Sequence, residues 1–456
     1  MNRENGLRYF LDLTTSAQWI GAAVGIVRVE QELARRAHRC LGDDVAFCVY
    51  ERSQNRFFLL DPEAASELLQ GRLRIDFGLE PPPPPIPTKA LNAVRRRVRR
   101  TMRTNVTLYQ AFQRLRGRRY TRDELLRIQR EEFEEPATAK RVEYLSRVSR
   151  GAAELDAATC IISVGLDWQY KDVRNLWALK QSRGFRYVAM VHDFIPLSFP
   201  HFVSPGYDAF LADYFGELMW LADFAMCNSQ STREDWLGFC GGFGVAVPGH
   251  AFPLGCDLPV TPSQTELPSA LEGKRFALFV STIEPRKNHR LLYDAWDRCI
   301  RSGAVDKQRD RLVFVGRVGW AVDDLIRELS ANPATRESIV VLHGVNDDTL
   351  AALYRECAFV VFPSFWEGYG IPVAEALSYG KPCISSDAGS LREIGGDLVM
   401  RIDPKDTIRW ADTIAHYMGA PNDLADWGRR IRTQHRPVTW DESARKFFST
   451  IKEAVS

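Results

Sequence analysis

The chain has 456 residues, too many for one ordinary core and enough for two. Apolar residues make up 45% and charged residues 26%, a globular composition that excludes an intrinsically disordered chain. The net charge of +2 conceals an asymmetry: residues 81–120 hold eleven Lys or Arg and no Asp or Glu, leaving 49 basic against 58 acidic residues elsewhere.

The nine cysteines include no C-x-x-C pair, so neither a metal-ligand nor a disulfide spacing is present. The N-terminal MNRENGLRYFLDL lacks the apolar stretch of a secretory signal, and no run of eighteen apolar residues occurs. The cytosol is the expected compartment.

In chain order, Leu7–Leu13 reads as a strand, a glycine-containing loop follows, and Ile26–Arg39 has helical spacing. Val45–Tyr50 is a second strand. The sequence PPPPPIP at 81–87 is a stiff extended spacer. Residues 90–135 look helical and charged, ending in Glu131, Glu132, Glu134 and Glu135, so 61–150 reads as an insertion in the first domain. Strand and helix alternation resumes with Thr159–Val164, Arg186–His192, a helix at 207–221, Asp223–Asn228 and a helix from Ser231 to Phe239. Residues 257–272 are polar and proline-rich, the composition of a linker between domains. Beyond it come strands at Phe276–Val280, Leu312–Val315, Ile339–Leu342, Phe359–Phe362 and Pro382–Ser385, with helical patterns between them. Repeated βαβ units predict a parallel sheet with ligands at its C-terminal strand ends. The expected division is 1–262, 263–430 and a terminal helical segment at 431–456 near the seam between the domains.

Five segments carry candidate chemistry. Gly21, Gly25, Ile26, Val27 and Arg28 lie between the first strand and first helix, where glycine lets backbone approach an anion. The spacing is not G-x-G-x-x-G, and a tightly packed helix start fits equally well. His192-Asp193-Phe194-Ile195-Pro196 ends a buried strand; His192 is suited to donate to a reacting oxygen, and Asp193 either binds a hydroxyl or caps the next turn. Ser281-Thr282-Ile283-Glu284-Pro285-Arg286-Lys287-Asn288 places two cations at a strand end and helix start, a pairing that a diphosphate would relieve. The alternative is a solvated basic pair. Pro363 to Gly370 leaves a strand and enters a helix near Pro372; Gly368 and Gly370 free the backbone, Glu367 suits sugar hydroxyls, and Glu375 suits a ribose or simply the helix dipole. Finally, Leu91, Val94, Val98 and Met102 form an apolar stripe among Arg95, Arg96, Arg97, Arg99, Arg100 and Arg103. That helix suits an anionic membrane surface, with packing on its own domain next. Sparse aromatics argue against stacked nucleic-acid bases, and no nucleic acid partner is expected.

Taken together these segments resemble the retaining glycosyltransferases of family 4, which have the GT-B fold: α/β, two facing Rossmann-like domains with a cleft between them. The resemblance runs through FPSFWEGYGIPVAEALSYGKPCISSDAGSLREIGGD at 362–397, STIEPRKN at 281–288, HDFIP at 192–196 and FPLGCD at 252–257. It covers roughly 1–50 and 160–430 and is strongest to bacterial mannosyltransferases of O-antigen and exopolysaccharide assembly. It implies a nucleotide-sugar donor, with GDP-mannose the first choice and a deoxyhexose donor next, and a lipid-linked or polysaccharide glycan acceptor. The diphosphate would lie against Arg286, Lys287 and the amides of Gly368, Tyr369 and Gly370, the ribose on Glu375, and the base near His343 and Val345. Glu367, His192 and Asp193 would act around the transferred sugar, and Gly25 would reach the phosphates from the opposite domain. Ser281-Thr282 stands where the family often has Gly-Arg. No Asp-x-Asp motif precedes the donor loops, so the resemblance implies transfer with no metal and no resident cofactor. A transferase for a small soluble acceptor, a two-domain sugar-nucleotide epimerase and an inactive scaffold are the competing readings; the intact set of site residues disfavours the last.

Overall fold

A computed structural model describes residues 7–20, 25–78, 140–257 and 265–455. The basic segment 91–103, the proline run and the acidic cluster lie outside the described residues, as does 258–264 of the linker.

The first domain is built on an eight-stranded sheet. Its strands are β1 (Arg8–Asp12), β2 (Val45–Glu51), β3 (Arg56–Leu60), β6 (Ser149–Ala152), β7 (Thr159–Ser163), β8 (Arg186–Val191), β9 (Phe224–Cys227) and β10 (Gly249–Ala251), in the order β10-β9-β8-β7-β1-β2-β3-β6. The pairs from β10 to β2 are parallel, and β3 and β6 add an antiparallel edge. A small parallel pair, β4 (Leu73–Asp76) with β5 (Arg141–Tyr144), stands apart.

Both faces of this sheet are covered, which is why its strands are apolar throughout rather than alternating. Leu11, Val49, Ile162 and Met190 face one core, whereas Phe10, Tyr50, Ile161 and Tyr187 face the other. Adjacent residues of one strand thus serve opposite cores, as a period of two requires.

The 61–150 insertion is narrower than the sequence suggests. Helix Pro62–Leu69 buries Ala64, Ala65, Leu68 and Leu69 in the first core, and β6 extends the main sheet. Both ends of the segment are therefore part of the domain, because their apolar residues have a core to fill. The terminal segment also divides. Helix Pro421–Gln434 packs Trp427 and Ile431 into the second domain, whereas helix Trp440–Val455 crosses back and buries Phe447, Phe448 and Ile451 in the first. Only its start lies at the seam, where Asp257 accepts the Trp440 N–H at 2.6 Å.

The second domain has six parallel strands: β11 (Arg275–Val280), β12 (Asp310–Val315), β13 (Ile339–Leu342), β14 (Phe359–Phe362), β15 (Cys383–Ser386) and β16 (Val399–Ile402). Their order is β13-β12-β11-β14-β15-β16. The direction of winding reverses between β11 and β14, so the loops leaving those two strands diverge and open a crevice there.

Candidate active site

The two loops at that crevice carry the cations and the glutamates. After β11 the chain enters a short 3-10 turn, Pro285–Lys287, and Asn288 adopts a left-handed φ of 61° before helix His289–Arg301. Asn288 tolerates that conformation because its amide donates to Pro404 O at 2.8 Å. After β14 the loop runs to Gly370, whose φ of 110° lets helix Ile371–Ser378 begin abruptly with Pro372 in its first turn.

These loops bring Arg286, Lys287 and Glu367 together. Lys287 Nζ lies 2.5 Å from Glu367 Oε1, and Arg286 Nη1 lies 2.9 Å from Glu367 Oε2. Arg286 also donates to Trp366 O at 2.7 Å and to Glu284 Oε1 at 2.8 Å. Burial opposes ionisation of Glu367, but Arg286 and Lys287 outweigh it and hold the carboxyl at about 2. Burial, then the neighbouring Arg286, lowers the pKa of Lys287 in spite of Glu367. Two adjacent cations thus share Glu367 in a desolvated site, and Arg286 is paired with Glu284 as well.

Glu375 has different surroundings. It is buried one turn inside its helix, and Tyr354 donates to its Oε2 at 2.8 Å. Arg28 of the first domain lies 3.7 Å from Glu375 and 3.6 Å from Asp347, both longer than a hydrogen bond. Burial raises the Glu375 carboxyl to about 7, with Arg28 and Tyr354 pulling the other way. Glu375 therefore sits near half-ionised at neutral pH, on a segment whose other glutamate is fully charged.

From the opposite domain, β8 delivers His192 and Asp193. Gly368 packs directly on them: a Cβ there would stand 2.3 Å from His192 O and 2.8 Å from Asp193 Cβ. Only glycine permits this approach. His192 is buried, and Nε2 lies 2.7 Å from Val164 O. A carbonyl only accepts, so Nε2 carries the proton. Burial lowers the ring pKa to about 4, leaving it neutral at pH 7 with Nδ1 as an acceptor. The expected donation from His192 to a reacting oxygen is therefore corrected: its one N–H is already committed to Val164. Asp193 accepts Ile195 N–H at 3.1 Å, the capping role, and burial raises its pKa against the pull of Arg286.

The remaining residues are more scattered. Tyr369 turns its hydroxyl away to Leu254 O at 3.1 Å, a contact between the domains. His343 is exposed and hydrogen-bonded to Gly316 O at 2.6 Å, with Val345 half-buried beside it, just beyond β13. Gly25, at a φ of 53°, precedes helix Ile26–Leu41. Arg28, Glu284 and Tyr354 complete the site but were not assigned to it from sequence. Arg28 stood in the glycine segment, and Glu284 stood beside the two cations; Tyr354 had no local signal.

Residues 263–434 match the family model described as Glycosyl transferases group 1. The chain is 34% identical over 184 residues to O-antigen chain mannosyltransferase B of Escherichia coli, covering 39% of this chain and 45% of that protein. It is 29% identical over 218 residues to the serotype-specific mannosyltransferase WbdA of Escherichia coli, covering 45% and 26% respectively. The chain thus spans less than half the length of these relatives. Among solved structures, Anabaena HepE in complex with UDP superposes with a TM-score of 0.59 at 14% identity, covering 98% of this chain and 100% of the other. Sucrose-phosphate synthase from Thermosynechococcus elongatus superposes at 0.58 with 15% identity, covering 98% of both. The chain therefore has the two-domain GT-B fold with a cleft between the domains, and its second domain is related to the glycosyl transferases of group 1.

Proposed function

We propose that this protein is a nucleotide-sugar-dependent, retaining glycosyltransferase that moves a hexose onto a glycan acceptor. The observation that carries the reading is the Arg286–Lys287–Glu367 cluster at the winding reversal, closed over by His192 and Asp193. Two desolvated cations suit a diphosphate whose charge grows as it leaves. In the transfer, the bond from the anomeric carbon to the diphosphate oxygen breaks, and the acceptor hydroxyl oxygen bonds to the same face of that carbon. The departing phosphate takes the hydroxyl proton. Arg286 and Lys287 stabilise the leaving group, and Glu367 faces the positive charge that develops on the sugar. Glu375 receives the ribose hydroxyls, with His343 and Val345 near the base and Gly25 near the phosphates. The amides of Gly368 and Gly370 lie beside the diphosphate; Tyr369 contributes its backbone there.

GDP-mannose is the proposed donor, supported by likeness to two mannosyltransferases of Escherichia coli. A UDP-sugar is the second reading, favoured by the UDP in the Anabaena structure. The proposed acceptor is a lipid-linked or polysaccharide glycan at the inner face of the cell membrane, approached through the basic segment 91–103. No described helix is long and apolar enough to cross a membrane. A screen of GDP-, UDP- and dTDP-sugars for transfer and hydrolysis tests the donor. Turnover restricted to GDP-mannose supports the first reading, turnover restricted to a UDP-sugar the second, and none with any donor overturns both.

A further inference from the structure

The domains also meet at a contact outside the donor chemistry. The turn Gly389–Glu393 follows β15 in the second domain. Both carboxylate oxygens of Glu393 accept backbone N–H groups of the first domain, Gln230 N and Ser231 N, each at 2.8 Å. Those groups open the thirteen-residue helix Gln230–Gly242. Its own cap, Ser229, takes only the Thr232 N–H, at 3.0 Å. The first three N–H groups of the helix are thus satisfied once from its own domain and twice from the other. A carboxylate at that end is favoured twice over, by charge-assisted hydrogen bonds and by the helix dipole. Separating the domains would leave Gln230 N, Ser231 N and the Glu393 carboxylate to water alone.

The same turn grips the backbone around Glu367. Ser390 Oγ lies 2.7 Å from Glu367 O and 2.9 Å from Tyr369 O. Between those two carbonyls stands Gly368, in contact with His192 of the first domain. Beside them Phe199 packs on Trp366 with ring centroids 5.0 Å apart, and Phe202 stacks on Phe365 at 5.2 Å. One five-residue turn therefore holds the opposite domain with its last residue and the Glu367 strap with its second.

We propose that Glu393 is a positioning residue that couples domain closure to the placement of Glu367. Its carboxylate fastens the first domain through helix Gln230–Gly242, and Ser390 transmits that fixed position to the backbone carrying Glu367. The inference rests on the transferase reading for its effect on turnover, but not for its effect on closure.

The test compares the full chain with Glu393→Ala and Glu393→Gln. Gln keeps one acceptor oxygen and sets its NH2 against the second N–H, so its effect should be intermediate. The measurements are kcat and donor KM, affinity for GDP and for UDP, thermal unfolding, and small-angle scattering with and without the nucleotide. Glu393→Ala should lower kcat by about tenfold to a hundredfold. Nucleotide affinity should change far less, and the radius of gyration should rise. Wild-type kcat in Glu393→Ala overturns the proposal, as does a lost kcat in a protein that still scatters as the closed form. If the parent chain transfers no sugar, expansion of Glu393→Ala still supports the latch while the transferase reading fails.

Discussion

Each domain buries a lysine among carboxylates at the C-terminal ends of its strands, and the two lysines are held in opposite ways. In the first domain Lys171 lies 2.5 Å from Asp12 and 2.8 Å from Asp167, with Tyr187 OH at 3.1 Å and Ser163 also bonded to it. Tyr187 and Ser163 in turn donate to Asp167 at 2.8 and 2.6 Å. Burial disfavours its charge, but Asp12 and Asp167 raise the Lys171 pKa well above the usual lysine value. In the second domain Lys287 shares Glu367 with an adjacent guanidinium, and its pKa falls. The first cluster sets one cation against two carboxylates, all buried and hydrogen-bonded among themselves. The second sets two adjacent cations against Glu367 and Glu284, so Lys287 has a like charge beside it that Lys171 lacks.

Breaking each cluster should separate the two roles. Glu367→Gln removes the shared carboxylate, so turnover should fall by about 10²–10³-fold. Affinity for GDP or UDP should rise in the same variant, because two cations are released to the diphosphate. Steady-state kinetics and calorimetry check both, and weaker nucleotide binding would count against the cluster as a phosphate site. Lys171→Met leaves Asp12 and Asp167 buried without their cation and should cost about 3–5 kcal/mol of stability in urea unfolding. A Lys171→Met protein that remains folded should bind nucleotide normally.

A smaller effect should appear in pH dependence. The Glu375 carboxyl is raised from 4.5 to about 7, so the folded chain holds a proton there that the unfolded chain loses. The contribution of Glu375 to stability is thus greatest below about 4.5 and is lost as pH rises towards about 7. On the proposed reading, in which the carboxylate accepts both ribose hydroxyls, donor affinity should move the other way, improving as pH rises through about 7. Glu375→Gln should flatten that profile of KM against pH. Arg28→Ala should make the smallest change, moving the profile to higher pH, since Arg28 pulls the Glu375 pKa down. An unchanged midpoint in Arg28→Ala would show that the contact between domains does not reach the nucleotide site.

The cluster at the crevice of the second domain was legible because its residues are close in sequence. Glu367, Gly368, Gly370 and Glu375 lie in one segment, and Arg286 with Lys287 in another, each directly after an apolar strand. What escaped depended on distant partners. His192 looked like a proton donor until Val164, 28 residues earlier, was found to hold its only N–H. Glu393 is one charge in a loop until helix Gln230–Gly242 is set against it. The 61–150 segment read as an excursion because β6 at its far end pairs with β3, which lies before the whole segment in sequence.

The return of the last helix to the first domain decides how the chain can be divided. The polypeptide leaves the first domain after Asp257, builds the second, and returns to the first at Trp440. That return is pinned where Trp440 packs on Gly255, at which a Cβ would stand 2.6 Å from the indole. Dissection at the linker alone would leave the first domain without Phe447, Phe448 and Ile451, each worth about 1.5–3 kcal/mol of apolar burial for the larger side chains. An isolated first domain must therefore be made from two pieces of the gene, joined so that the final helix travels with it.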